Sequence, residues 1–514
     1  MLLFPNARGA APICRAVLWP LLILQAASAA PSASTLKACS EIAGRLPGGR
    51  VSYPLQLSYV AETQRYWSLA LRELHPACIV SPQNADQVAA AVQVLAGHAD
   101  VPFTVKSGGH DPNPGHSSID DGVLIAMREM VGATYDAASG HALVRPAGEW
   151  NDVLGDLEPY GVTVVGGRLG IVGVGGLLLQ GGLSFLTAQY GLAADSIVGW
   201  ETVMPNGSVV NIDAKAQPDL AVAMKGSGGQ FGIVTQFTIE AHPIGQVWGG
   251  VRLYDESKKD KLYAALHNFV PNNADDPKSA VIFTDLAILQ NGTAAVVFYF
   301  HEGPDKPTSG PLMPFLDVPP LIDITRTQSY PQLLKANGVF SSAAVARDSF
   351  RTFTIPYIPS NPGLYDEISK KWRDITSAYL TILHPTAQCS VDFQPLPGVV
   401  GQRTEARGGN AMGLTAADPN RIVLELQCGW LNGRDDAILY ALSRDMTNWL
   451  QSRMPEWLAQ AGLGEEAYMP LFMNDAAGDQ NVTGSYRGYA EFKKLQESVD
   501  PMGMFAKRAG GYKY

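Results

Sequence analysis

Apolar residues recur at helical spacing over 84–98, where Val88, Ala91, Val92 and Leu95 predict the buried side of an amphipathic helix. The short apolar run 101–105 then predicts a strand that ends at a glycine turn. Similar runs continue to about residue 241. They predict strands at 122–127, 141–146, 161–165, 197–204, 208–212 and 233–241, and a helix at 150–157.

The pattern changes after Pro243. Period-two alternation predicts strands at 248–253, 280–286, 293–299 and 423–430, and longer helical patterns cover 258–268 and 436–453. Strands mixed with long helices in this way indicate an antiparallel sheet with helices on one face. The fold class predicted for the whole chain is therefore α+β.

The length of the chain requires more than one core. A single core stops growing near ~250–300 residues, and this chain has 514. We expect a first domain over 40–245, completed by 461–514, and a second domain over 246–460. We find no internal repeat.

The N-terminus is typical of a secretory signal. Arg8 and Arg15 give a positive start, an apolar run covers 16–27, and small residues follow at 27–29. The run is shorter than the ~20 residues of a membrane span, and Pro20 interrupts it. We expect a signal peptide at 1–29, a secreted protein and no membrane span, with an anchor or a disordered leader as the alternative.

Four cysteines lie beyond this leader, and none forms a C-x-x-C pair, so a zinc site is not expected. Cys39 and Cys78 are predicted to form a disulfide that staples the N-terminus to the first domain. Cys389 and Cys428 lie in two strand-like segments. They either pair with each other or remain buried thiols.

Composition narrows the partners. The net charge of −10 makes nucleic acid an unsuitable partner, and the histidines show no metal-ligand spacing such as H-E-x-x-H. Sequons at Asn206, Asn291 and Asn481 predict glycosylation if the protein is secreted.

Three glycine-rich segments suggest a phosphate-bearing cofactor. They are Lys106-Ser107-Gly108-Gly109, Gly173-Val174-Gly175-Gly176 and the loop 226–232. Glycine has no Cβ, so backbone N–H groups can approach a phosphate closely. No Walker loop is present. The dinucleotide fingerprint is incomplete, because Leu178 stands where its third glycine should be. Each segment alone is typical of a turn.

Together the segments resemble a known family. The sequences V-K-S-G-G-H at 105–110, V-V-G-G-R-L-G-I-V-G-V-G-G at 164–176, G-L-A-A-D at 191–195 and K-G-S-G-G-Q-F-G-I-V-T at 225–235 are similar to the vanillyl-alcohol-oxidase superfamily, which has a PCMH-type FAD-binding domain. Within it, the chain most resembles the berberine-bridge-enzyme-like oxidases, especially fungal members. The segment D-P-M-G-M-F at 500–505 resembles the one that closes the FAD lobe. The likeness covers about 60–245 and 465–510.

The resemblance implies that FAD is the cofactor and that His110 bonds the flavin 8α-methyl carbon. A histidine that only hydrogen-bonds within its turn is the alternative. Other cofactor contacts follow from the resemblance. They are Lys106, Ser107, Gly108 and Gly109 at the pyrophosphate, Gly173, Val174, Gly175 and Gly176 along the ribityl chain and phosphates, and Gly232, Ile233 and Val234 at the adenosine. Asn474 lies either beside the isoalloxazine ring or in a turn.

The chain departs from the family pattern at two important places. Leu169 stands where many relatives carry a cysteine bonded to flavin C6, so a single link is expected. Gln394 stands where plant members carry a glutamate, and glutamine cannot accept a proton. Asp392 lies on the same face of the predicted strand and is the preferred candidate base. Tyr468 and Tyr486 are the alternatives.

The resemblance implies an oxidase that passes hydride from a small organic substrate to FAD and electrons to O2, giving hydrogen peroxide. The substrate is expected to be a secondary metabolite. A carbohydrate oxidase and a flavin-binding protein with impaired catalysis are the alternatives. The sequence indicates neither the substrate itself nor the oligomeric state.

Overall fold

A computed structural model describes residues 31–288, 292–341 and 346–514. The helices in this part of the chain are α1 Ala33–Arg45, α2 Leu57–Thr63, α3 Leu69–Arg72, α4 Ala85–Ala96, α5 Trp150–Leu157, α6 Val174–Leu179, α7 Thr187–Tyr190, α8 Pro218–Met224, α9 Lys259–Asn272, α10 Met313–Leu316, α11 Tyr330–Ser341, α12 Leu364–Ser377, α13 Gly398–Ala406, α14 Asp436–Gln460, α15 Tyr489–Val499 and α16 Met504–Lys507. The strands are β1 Val51–Ser52, β2 Cys78–Val80, β3 Phe103–Lys106, β4 Val123–Ala126, β5 Ala133–Asp136, β6 His141–Val144, β7 Val162–Thr163, β8 Ile197–Val203, β9 Val209–Asp213, β10 Ile233–Glu240, β11 His242–Pro243, β12 Gln246–Asp255, β13 Ser279–Ile288, β14 Gly292–His301, β15 Ile322–Asp323, β16 Arg326–Ser329, β17 Arg347–Pro356, β18 Gln388–Leu396 and β19 Arg421–Trp430.

A small sheet carries the first glycine turn. Its strand order is β1-β2-β4-β3, with β4 parallel to both β2 and β3. Helix α4 begins after Asn84, whose side chain accepts a hydrogen bond from the Gln87 N–H and caps the helix. The predicted disulfide between Cys39 and Cys78 is present and joins α1 to β2. The helix cap and the disulfide therefore stabilise the sheet that positions the end of β3 and the turn after it.

A second, antiparallel sheet has the strand order β5-β6-β10-β8-β9. The predicted hairpin joins β8 to β9, and Gly207 occupies the turn with φ +79°. Helix α5 spans the predicted residues Trp150–Leu157 and packs on β5. The long strand β10 follows the third glycine loop, so the end of this sheet positions that loop.

The largest sheet has eight antiparallel strands, all drawn from 246–430. Helices α9, α12 and α14 pack on one face through residues such as Leu266, Trp372 and Leu450. Val391 and Phe393 of β18 point into this helical core. The other face joins the core of the first half of the chain through Ile282 and Val423. This arrangement confirms the predicted α+β fold, with helices on one face of the sheet.

The remaining pair of cysteines also forms a disulfide. Cys389 and Cys428 occupy facing positions on β18 and β19 and are bonded. Strand β17, which pairs with β19, was not predicted from the sequence. Its apolar and polar residues alternate less regularly, and it is buried along nearly its whole length.

The C-terminal segment returns to the small sheet. Ala509 forms a bridge with Phe103, and the Arg508 guanidinium donates to the carbonyls of Leu95, His98 and Val101. The Asp500 carboxylate accepts from the N–H groups at the start of α16. The C-terminal segment that follows D-P-M-G-M-F thus packs against the small sheet.

The predictions of a signal peptide, of glycosylation and of domain borders concern features that the described residues cover only in part. The predicted signal peptide 1–29 and the sequon at Asn291 lie outside the described residues. Asn206 and Asn481 are exposed, as glycan acceptors must be. Within the described ranges, no helix combines the length and apolar character needed to cross a bilayer. The domain borders stay predictions.

Candidate active site

A cavity of about 280 Å³ lies among the glycine turns, β19 and the segment 472–475. Residues from all three glycine-rich segments line it, together with His110, Leu169, Ile233, Val234 and Asn474. Most of the residues predicted to contact the cofactor therefore lie around one cavity. Leu169, expected where relatives carry a cysteine, also faces this space.

The first two glycine turns approach each other at backbone distance. A Cβ on Gly173 would lie 2.6 Å from the Cα of Gly108, and one on Gly175 would lie 2.7 Å from the Pro146 carbonyl oxygen. Neither position has room for a side chain. Gly176 and Gly229 also line the cavity, and a Cβ there would meet nothing within 4 Å. These glycines leave an open cradle bounded by main chain.

Three consecutive residues that line the cavity have main-chain N–H groups without a protein acceptor in the described part of the chain. Among the described residues, no acceptor is found for the N–H groups of Gly108, Gly109 and His110. The Ser107 hydroxyl donates to the Pro146 carbonyl at 2.6 Å and accepts from the Gly175 N–H at 3.1 Å, which ties the two turns together. Consecutive free N–H groups in a glycine turn form a binding site for an anion such as a pyrophosphate.

His110 lines the cavity as a neutral base. Burial lowers the pKa of His110 to about 4, and the nearby Asp111 only partly opposes this effect. The imidazole stacks on Trp67, with ring centroids 4.5 Å apart and planes 17° apart. A neutral imidazole has a free nitrogen lone pair near physiological pH, as a nucleophile requires.

Two of the expected cofactor contacts lie elsewhere. Lys106 is buried behind the turn, where its ammonium pairs with Glu62 at 2.9 Å, because the alternation of β3 points this side chain away from the cavity. Val174 belongs to the apolar core, since the first turn of α6 directs its side chain inward. Neither side chain lines the cavity. The cavity lining therefore does not include Lys106 or Val174, and a contact of either residue with the cofactor stays a prediction.

The Asn474 side chain joins two main-chain segments at the cavity wall by hydrogen bonds. Its side-chain oxygen accepts from the Gly182 N–H at 2.9 Å, and its amide donates to the Leu177 carbonyl at 3.3 Å. The residue lines the cavity and also fixes the end of α6. It therefore holds a wall of the cavity in place.

A buried polar cluster occupies the same cavity wall. Arg168 donates to the side-chain oxygen of Gln394, and the Gln394 amide donates to Asp475 at 2.7 Å. Arg168 and Asp475 line the cavity, whereas Gln394 is almost fully buried behind them. Gln394 thus holds Arg168 and Asp475 in fixed positions.

Glu425 and Asp392 complete this carboxylate cluster, which consists of Asp392, Glu425 and Asp475. Burial raises the pKa of Asp392 to about 7, with the Asp475 charge adding to the effect and Thr284 and Arg168 opposing it. Burial and the two neighbouring carboxylates raise the pKa of Glu425 well above its usual range. Glu425 lines the cavity, while Asp392 lies behind it with one oxygen, Oδ1, lacking a hydrogen-bond partner among the described residues.

The two candidate tyrosines lie away from the cavity lining. The Tyr468 hydroxyl donates to the Met412 carbonyl, and burial raises the pKa of Tyr468 to about 12. Burial also raises the pKa of Tyr486 well above its usual range. Both shifts oppose ionisation, so these positions do not suit a base near neutral pH.

Sequence reasoning missed Arg168, Glu425 and Asp475 as site residues. Each carried a signal. Arg168 is the charged residue within a glycine-rich motif, and Asp475 follows Asn474 directly. Glu425 is an acid between Leu424 and Leu426 in a largely apolar strand, and a charge in such a position is rare unless it is paired or functional.

Known proteins share this architecture. A family model described as an FAD binding domain matches residues 76–213. An uncharacterized FAD-linked oxidoreductase of Arthroderma benhamiae is 35% identical over 473 residues, covering 90% of this chain and 92% of its own. An FAD-dependent monooxygenase of Emericella nidulans is 30% identical, covering 91% and 96%. The structure of BBE-like 1 from Physcomitrella patens matches with a TM-score of 0.69 at 19% identity, covering 93% and 98%.

The cavity fits the cofactor that these relatives name. The glycine cradle with its free N–H groups suits a pyrophosphate, and the neutral His110 lies in the wall of the same cavity. FAD is therefore the cofactor of this protein.

Proposed function

Because this chain belongs to a family of FAD-linked oxidoreductases, we propose that it is a secreted oxidase of the berberine-bridge-enzyme-like kind whose FAD is bonded to His110. Its substrate would be a small organic molecule of secondary metabolism, and its electrons would pass to O2 to give hydrogen peroxide. The observation that carries this proposal is that a neutral His110 and two acids of the carboxylate cluster, Glu425 and Asp475, line one cavity.

When bound, FAD supplies the hydride acceptor, and the protein supplies orientation and proton transfer. The glycine turns bind the pyrophosphate through main-chain N–H groups, and Ser107 keeps the two turns together. Leu169 at the cavity wall leaves His110 as the single point of attachment. Gly232, Ile233 and Val234 line the same cavity and would contact the adenosine.

The carboxylate cluster accepts the substrate proton. Glu425 and Asp475 line the cavity. The carboxylate oxygens of either residue can therefore accept a hydrogen bond from a substrate hydroxyl or amine. Asp392 lies directly across the ladder from Glu425 and takes over the proton from it. We therefore retain Asp392 as a base, acting through Glu425. Arg168 stabilises the ionised state of the cluster, because its charge lowers the pKa of all three carboxyls.

The carboxylate cluster also bears on the alternatives. Three acids around the cavity give the protein a proton acceptor even though Gln394 replaces a glutamate, which disfavours an impaired flavin-binding protein. The disulfides Cys39–Cys78 and Cys389–Cys428 support export, because such bonds persist in oxidising compartments.

Peroxide release on a substrate panel tests the oxidase proposal. The panel contains aromatic alcohols, amines and oligosaccharides, and each reaction is run under ¹⁸O2. We expect at least one alcohol or amine to release one peroxide per product formed, with no ¹⁸O in that product. Stoichiometric ¹⁸O in the product would instead establish a monooxygenase, the activity named for the Emericella nidulans relative. Turnover of oligosaccharides alone would favour the carbohydrate oxidase.

A further inference from the structure

We propose that Trp67 is a positioning residue that holds the His110 imidazole in the orientation needed for its bond to the flavin. This inference rests on the histidyl bond of the proposed function. It adds a second residue, from a segment that no cofactor motif includes, to the machinery that attaches the cofactor.

The first observation is the ring geometry. The indole of Trp67 and the imidazole of His110 are nearly parallel, at 17°, with centroids 4.5 Å apart. His110 lines the cavity, and Trp67 does not, so the indole covers the imidazole from outside the cavity. A stacked partner on one face restricts rotation of the imidazole about its side-chain bonds and fixes the plane that contains its nitrogens.

The second observation is a main-chain contact to the same turn. The Trp67 N–H donates to the Gly109 carbonyl at 3.0 Å. Gly109 has φ +73°, and a Cβ there would lie 2.9 Å from the Arg65 carbonyl oxygen. The segment 65–67 therefore packs tightly against the turn that carries His110, and the contact involves backbone as well as rings.

Trp67 itself is fixed from both sides. The carbonyl of Tyr66 accepts two hydrogen bonds from the Arg72 guanidinium, at 2.9 and 2.6 Å. The Ser68 hydroxyl accepts from the Asp348 N–H at 3.0 Å on β17. The indole also contacts Phe350 of β17, with centroids 5.1 Å apart. Because both chain neighbours of Trp67 are hydrogen-bonded and its indole packs against Phe350, Trp67 can define the orientation of the His110 ring.

The third observation is the environment of the imidazole. The pKa of His110 falls to about 4 because the ring is buried, and the indole covers one of its faces. Shielding by Trp67 thus helps to keep the ring unprotonated, which is the form that can attack a carbon centre.

The attachment reaction needs this orientation. One C–H bond of the flavin 8α-methyl is replaced by a C–N bond to the imidazole, and the imidazole loses its proton. The two electrons released enter the flavin ring and pass to O2, which becomes hydrogen peroxide with the two hydrogens. Misplacement of a reacting group by about 1 Å can slow a reaction by ~10²-fold, so loss of the stack should slow the attachment.

The experiment compares wild type with Trp67→Phe, Trp67→Leu and Tyr190→Leu. The last variant removes a similar stack, between Tyr190 and His242, with centroids 3.8 Å apart and no part in the cavity lining. Each protein is expressed with a short pulse of labelled riboflavin, and samples are taken over time as the new protein loads its labelled FAD. Total flavin is measured in the native protein, and covalent flavin is measured as the colour that stays with acid-precipitated protein.

We expect Trp67→Leu to bind FAD and to form the covalent bond at least ~10-fold more slowly than wild type. Trp67→Phe keeps an aromatic ring, so its rate of bond formation should stay within about threefold of the wild-type rate. Tyr190→Leu should form the bond at the wild-type rate. Should Trp67→Leu bind no FAD, Trp67→Met replaces it under the same criterion.

Attachment at the wild-type rate in a non-aromatic variant that binds FAD would overturn the inference. So would an equal slowing in Tyr190→Leu, which would show a general loss of packing. If wild type itself releases its FAD in acid, the histidyl bond is absent and the proposed function fails. These outcomes are distinct.

Discussion

Glu425 lies directly opposite Asp392 in the ladder between β18 and β19. Facing residues on antiparallel strands have Cβ atoms about 4.5–5.5 Å apart, so the two carboxyls are neighbours. Asp475 adds a third acid, while Arg168 is the cation that faces all three in the described structure. Like charges this close cannot all ionise, so the carboxylate cluster holds at least one shared proton near neutral pH.

Replacing the carboxyl group of Glu425 or of Asp392 by an amide should impair proton transfer without loss of the cofactor. We expect Glu425→Gln and Asp392→Asn to retain flavin while the rate of anaerobic flavin reduction by substrate falls ~10²-fold or more. Stopped-flow absorbance measures that rate. The exposed Glu256→Gln serves as a matched acid-to-amide control and should leave it unchanged. An unchanged rate in both cluster variants would exclude these carboxyls as the base.

The same reaction should depend on pH. A base must be ionised to accept a proton, and the pKa of Asp392 is raised to about 7. The rate of flavin reduction should therefore rise as pH increases through about 7 and fall below it. The apparent value belongs to the carboxylate cluster as a whole.

Arg168 sets the position of that pH profile. Its positive charge lowers the pKa of each neighbouring carboxyl, so Arg168→Met should move the midpoint of the rate profile to higher pH. The comparison uses wild type and variant over the same pH range. A midpoint that does not move, or moves to lower pH, would contradict the assigned role of the guanidinium.

Lys106 should matter for stability rather than for cofactor binding. Its ammonium and the Glu62 carboxylate are both buried and 2.9 Å apart. Lys106→Met should destabilise the fold by up to about 3–5 kcal/mol, the cost of leaving a buried charge without its partner. Arg128, which also contacts Glu62 at 3.3 Å, should reduce that cost. Thermal unfolding measures the change, and a selective loss of FAD at unchanged stability would refute this prediction.

Peptide mapping without reduction should find two disulfides, Cys39–Cys78 and Cys389–Cys428. Each closes a loop of sequence separation 39, for which a stabilisation of roughly 2–4 kcal/mol is typical. The matched variants Cys39→Ala/Cys78→Ala and Cys389→Ala/Cys428→Ala should both unfold at lower temperature. Free thiols at either pair in the secreted protein would count against that bond.

Much of this site could be predicted from the sequence because local chemistry determines it. The glycine turns around Gly108 and Gly173 need main chain without Cβ at fixed positions, and such positions are visible as motifs. The shared strand face of Asp392 and Gln394 follows from the period of two. The Cys39–Cys78 disulfide was predicted. The pairing of Cys389 with Cys428 was left open, because it depends on which strands become neighbours in the sheet.

The rest depends on contacts between distant segments. Glu425 meets Asp392 only because β19 pairs with β18, and Trp67 meets His110 only when the segment after α2 folds onto the first glycine turn. The direction of the Lys106 side chain does not follow from the backbone motif, which gives the position of the turn and not the side of β3 that each residue faces. Strand register and tertiary packing decide all three.

Mass spectrometry of peptides from the denatured protein tests the central claim most directly. The account predicts that acid-precipitated protein stays yellow and that flavin is found on the peptide containing His110 and on no other, since Leu169 replaces the second attachment point. His110→Ala should release its flavin into the supernatant. Free FAD released from wild type, with an unmodified His110 peptide, would contradict the account.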